Sequence, residues 1–149
     1  MGSSNFFFTY SIILMVMVGV GYVVALTRSG SLAKIPLGGN YLSVWSQLSA
    51  EDIFQRLSQD LGRYKLEDSR QDELMLLYTN GPTFGTWGFF YPIQIVRQEK
   101  GCEIRVGIKS RFFQWGPLVT KWHKKCVQHV ELATGQMGEG VPSARVVGH

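Results

Sequence analysis

Before Arg28 this 149-residue chain carries no Asp, Glu, Lys or Arg; its 15 basic and 11 acidic side chains all fall at or after that position. An uncharged start of that length does not fit the surface of a water-soluble globule, where charged residues make up about a quarter of the chain. Within it, Phe6 to Leu26 is apolar apart from Thr9, Tyr10, Ser11, Gly19, Gly21 and Tyr22. As a helix rising about 1.5 Å per residue, this stretch reaches about 30 Å, the hydrocarbon thickness of a bilayer. Thr and Ser can bond carbonyls of their own helix, so they need not face lipid unpaired. The expectation is a single transmembrane helix over residues 6–26 behind a short tail, residues 1–5. The competing reading is a cleaved signal peptide with Ser31-Leu32-Ala33 as its site. Against it, the apolar run is long for a signal and no Lys or Arg precedes it. Gly2 does not read as a myristoylation site, since Phe6 stands where that signal takes Ser or Thr.

Only the terminal amine precedes the helix, whereas Arg28 and Lys34 follow it. The positive-inside bias then places the C-terminal domain on the cytoplasmic or equivalent side of a membrane that the chain crosses once. Cys102 and Cys126 alone make no disulfide framework, which agrees with a reducing compartment.

Residues 27–40 read as a linker, because Gly30, Pro36, Gly39 and Asn40 break any periodicity. An α+β domain is expected over 41–134, followed by a glycine-rich tail, 135–149, with too little apolar surface to order itself. A helix starts after the cap Ser49, buries Ile53, Phe54, Leu57 and Leu61, and stops at Gly62. Strands follow over 64–67 and 74–79. A hairpin then runs from 89 to 113, with Ile95 opposite Ile104, Ile93 opposite Val106 and Tyr91 opposite Ile108. Slippage by one residue would turn one apolar row away from the other. A last helix spans 117–133, with Pro117 in its first turn. The predicted fold class is therefore α+β: an N-terminal transmembrane helix, then helix, four-stranded antiparallel sheet and helix, both domain helices on one sheet face.

Chemistry is harder to find. His123, Cys126 and His129 stand at i, i+3 and i+6 of the last helix, but six residues of helix span about 9 Å, too far for one ion. Ser31 to Lys34 fits an SxxK pattern without its companion motifs, and Gly107 to Ser110 echoes the end of a phosphate loop without the required glycines. Gly81, Gly85 and Gly88 miss the dinucleotide spacing, and no paired carboxylates accompany a histidine. The expectation is a non-enzyme with no catalytic residue, cofactor or metal.

Residues 50–79 hold four basic and seven acidic side chains; residues 97–134 hold eight and three. No nucleic-acid-binding motif accompanies the basic half, so nucleic acid is not an expected partner. A solvated lysine face explains most of it, and anionic lipid is the better ligand for a tethered domain. The aromatic grouping weighs most. Phe84, Trp87, Phe89, Phe90 and Tyr91 cluster at one end of the hairpin with Phe112, Phe113 and Trp115. Trp87, Phe89, Phe113 and Trp115 are accordingly expected to form a partner-binding edge. Gly19 and Gly21 are expected to meet neighbouring helices; the Gly21–Ala25 pair is a faint pointer to homo-oligomerisation. Together these features suggest a non-catalytic, single-pass accessory or assembly subunit of a larger membrane complex. Its expected partners are integral membrane protein subunits and the lipid bilayer. The alternative is a membrane-tethered module that binds a hydrophobic ligand or anionic lipid.

Overall fold

The computed structural model describes residues 3–83, 85–112, 116–135 and 145–147. Helix α1, Ser3–Thr27, is long and apolar enough to cross a membrane, and almost none of it is buried. Ser11 donates to Phe7 O at 2.9 Å and Thr27 to Val23 O at 3.0 Å, so these hydroxyls are satisfied within the helix. Of residues 6–27, only Gly21 and Ala25, one turn apart, are covered.

The chain then builds an α+β domain with an antiparallel sheet. Its elements are β1 (Tyr41–Ser46), α2 (Ala50–Leu57), β2 (Lys65–Arg70), β3 (Met75–Asn80), β4 (Phe89–Gln98), β5 (Gly101–Gly107), β6 (Lys109–Ser110), α3 (Pro117–Ala133) and β7 (Arg145–Val147). Six strands lie in the order β2-β3-β4-β5-β1-β7, and the two-residue β6 also pairs with β4. The sheet is thus wider than the four strands read from the sequence. One addition is β1, whose Leu42, Val44 and Ser46 point inward in strict alternation. The other is β7, from within the segment expected to be an unstructured tail; it pairs with β1, Leu42 opposite Val146.

The hairpin has the expected register, with Ile95 opposite Ile104 and Ile93 opposite Val106, and the same register continues to Phe89 opposite Ser110. Ser49 caps α2 as its sequence requires, accepting from Asp52 N at 3.1 Å. That helix ends earlier than expected. At its C-cap the Ser58 hydroxyl donates to Phe54 O at 2.7 Å, and Leu61 and Gly62 lie in the turn beyond.

Helices α2 and α3 cover one face of the sheet. Ile53, Leu57, Cys126, Val127 and Val130 pack there against Val44, Leu76, Tyr78, Phe89, Tyr91, Ile93 and Ile104. The opposite face is not bare. The segment expected to be a loose linker turns at Ser31–Ile35 and seats Leu32 and Ile35 on Leu77 and Phe90. Gly30 N donates to Glu67 Oε1 at 2.5 Å and Leu32 N to Asp68 Oδ2 at 2.9 Å. Gly30 is required here by space, since a Cβ would come within 2.6 Å of the Phe90 ring.

Candidate functional site

The aromatic edge is smaller than the sequence suggests. Phe89, Phe90 and Tyr91 are all fully buried. They lie in a central strand covered on both faces, so alternation sends Phe89 and Tyr91 under the helices and Phe90 under the 30–35 segment. Phe89 packs near Trp122 and Tyr91, with ring centroids 6.4 and 6.2 Å away. It is a core residue, which corrects its reading as a binding residue. Phe113 and Trp115, like Phe84, lie outside the described residues. What remains at this edge is Trp87, half-buried, in edge contact with Phe112 at 5.4 Å; Phe112 is itself exposed.

Trp87 also explains Gly21. A Cβ on Gly21 would meet the Trp87 ring at 3.4 Å, and the Phe112 ring lies just beyond. The flat surface of Gly21 and Ala25 is therefore occupied by the chain's own domain, not left for another helix. This corrects the reading of Gly21 as an intermolecular contact. Gly19 differs: nothing lies within 4 Å of where its Cβ would stand.

Arg111, which nothing in the sequence singles out, fastens the two parts. Its guanidinium is buried at the end of α1, where helix carbonyls lack intrahelical donors. Nη1 donates to Ala25 O and to Arg28 O, both at 3.0 Å. Nε and Nη2 donate to Thr79 Oγ1 at 3.1 and 2.5 Å, and Nη2 lies 3.7 Å from Glu67 Oε2. The cation also sits 4.7 Å from the Phe90 ring centroid. In return, Arg28 Nη1 donates to Arg111 O at 2.6 Å. Burial pulls the Arg111 pKa down and Arg28 adds to this, while Glu67 opposes it. A guanidinium starts so high that it remains charged. A cation at a helix C-terminus is also favoured by the helix dipole.

The three residues weighed as metal ligands are engaged separately. His123 is buried and meets Val106 O at 2.6 Å through Nε2. Burial lowers its pKa more than this hydrogen bond raises it, so the ring is neutral and Nε2 carries the donated proton. Cys126 is sealed in the core, which pushes its thiol pKa up. His129 Nδ1 meets Lys125 O at 2.9 Å, and its ring packs on Tyr64. Among the described residues no group of His, Cys, Asp and Glu is placed to hold an ion.

Two hollows flank the loop between β3 and β4. A groove of about 750 Å³ runs between α1 and the loop, lined by Leu14, Val18 and Gly19 on one side and Thr83, Thr86 and Trp87 on the other. The loop wall is stiffened by reciprocal backbone bonds between Thr83 and Thr86, at 2.8 and 3.1 Å. A second cleft, about 420 Å³, is lined by Arg63, Asn80, Pro82, Thr83 and Trp122. Arg63 and Lys125 both stand over the Trp122 ring, at 5.4 and 5.0 Å from its centroid.

No family model matches this sequence, and no curated protein does. Among solved structures, the solution structure of the Aha1 dimer from Colwellia psychrerythraea is similar at a TM-score of 0.48 and 14% identity, covering 68% of this chain and 98% of that one.

Proposed function

We propose that this protein is a non-catalytic, single-pass membrane subunit that serves the assembly or stability of a larger membrane complex. In this reading α1 crosses the bilayer and the α+β domain lies on the cytoplasmic or equivalent side, a reading supported by Arg28 and Lys34 just after the helix. The supporting observation is the bond set of Arg111, which ties the last carbonyls of α1 into the domain. An enzyme acting on soluble substrate needs only a leash. A subunit that must present one face to neighbours in the membrane gains from an anchor and a domain that move together, because less orientational freedom is lost on binding. The partners are integral membrane proteins that meet the exposed apolar faces of α1.

Mild-detergent extraction followed by native mass measurement tests this. The expected result is co-migration with other membrane subunits. Val16→Trp or Val20→Trp, on exposed parts of α1 that do not line the groove beside Trp87, should reduce that association while leaving the chain folded. A chain that runs alone under every extraction condition would sink the reading.

A further inference from the structure

The two hollows beside the β3–β4 loop share a wall, Thr83, but differ in character. The first opens along the exposed apolar side of α1. If α1 crosses a bilayer, as proposed above, this groove faces hydrocarbon, and at about 750 Å³ it lies within the roughly 300–1,000 Å³ of ligand pockets. The second is the more polar of the two. Asn80 is 4% exposed; its Oδ1 accepts from Phe89 N at 2.8 Å, which fixes the amide orientation. Its Nδ2 is buried and has no hydrogen-bond partner, a costly state for an amide donor. Arg63 is exposed and, among the described residues, makes no ion pair, while Lys125 adds a second cation across Trp122. No carboxylate lines either hollow among the described residues.

We propose that the loop is straddled by one anionic phospholipid, its acyl chain in the groove between α1 and Thr83, Thr86 and Trp87, and its phosphate-bearing headgroup in the cleft of Arg63, Asn80 and Trp122. The ligand follows from charge and surroundings. The cleft offers a cation, and Asn80 lines it with an amide that lacks an acceptor, matching a phosphate oxygen. The adjoining groove offers apolar walls at the place where lipid is the solvent. A free phosphate would use only the cleft, and a neutral lipid only the groove. The Arg111 clamp is not part of this site; it holds α1 and the loop in the relation that forms the groove.

The full chain, reconstituted in phosphatidylcholine vesicles with and without phosphatidylglycerol, is extracted in mild detergent and its retained lipid counted by native mass spectrometry. The expected result is one phosphatidylglycerol per chain, preferred over phosphatidylcholine by about tenfold or more and not displaced by inorganic phosphate. Asn80→Asp keeps the oxygen that accepts from Phe89 N but removes the amide donors, and Arg63→Gln removes the cation. Each should abolish the preference; Arg63→Gln, at an exposed position, should also leave thermal melting unchanged, which separates loss of the site from loss of the fold. Equal retention of both lipids, displacement by inorganic phosphate, or a preference that survives both substitutions would overturn the proposal. Resistance of the chain to alkaline extraction from the vesicles reports the membrane crossing separately, so loss of the anchor is distinguishable from loss of the site.

Discussion

Phe89 and Phe90 are consecutive, both fully buried, and held in opposite ways. Phe89 faces α2 and α3, in a core built almost wholly from aliphatic and aromatic side chains. Phe90 faces the 30–35 segment, under Leu32, Ile35 and the buried guanidinium of Arg111. On the first face, stability comes from apolar area removed from water, which tolerates exchange of one hydrophobe for another. On the second, a small apolar patch is ringed by directed polar contacts: Gly30 to Glu67, Leu32 to Asp68, and Arg111 to the end of α1. The helix face makes the domain fold. The opposite face fixes where the anchor leaves it.

That contrast can be tested by substitution. The largest effect is expected on the helix face: Phe89→Ala should cost about 3–5 kcal/mol, since the cavity forms in the middle of the sheet. Thermal unfolding of the full chain in detergent should show the loss as a single large drop in Tm. A drop comparable to that of an exposed-residue control would mean that Phe89 is not core.

On the opposite face, Gly30→Ala forces a methyl to within 2.6 Å of the Phe90 ring. About 1–3 kcal/mol is expected from such overpacking. The loss should show as faster hydrogen exchange of the segment around Leu32 before any change in α3. Uniform acceleration across the domain would mean that the two faces are one cooperative unit.

The smallest effect expected is from pH. Burial holds the His123 pKa below its unfolded value of about 6.5. The folded state therefore binds fewer protons than the unfolded state in this window. The stability from neutral His123 is fully present above about pH 6.5 and is lost as pH falls from there toward the lowered pKa. Wild type should lose more Tm between pH 7.5 and 5.5 than His123→Gln does. Equal losses would remove His123 as the cause.

The helix face was largely legible in the sequence because its signals are local. Ile104 and Val106 alternate with charged residues, a turn ending in Gly101 fixes the register, and Ser49 stands before an apolar stripe. The run Phe89-Phe90-Tyr91 was ambiguous for a physical reason: a strand buried on both faces loses the alternation that tells inside from outside. The other face was not legible. Arg111 meets Ala25 and Arg28 across 86 and 83 residues of chain, and its partners are backbone carbonyls, which carry no residue identity. The Gly30 region lacks periodicity, so it read as a linker although it packs closely on Phe90. For Gly21, the small residue was a sound pointer to a contact, but spacing alone could not say that the contact was Trp87 of the same chain.

The central claim is that the end of α1 and the domain form one body joined through Arg111. Spin labels on α1 at Phe8→Cys and on the exposed face of α3 at Lys121→Cys would report it directly by pulsed electron resonance in nanodiscs, since Cys102 and Cys126 are buried and poorly accessible to label. A narrow distance distribution is expected in this background, broadening markedly when Arg111→Met removes the bonds to Ala25 and Arg28. A distribution already broad before the substitution, or one whose width Arg111→Met leaves unchanged, would contradict the account.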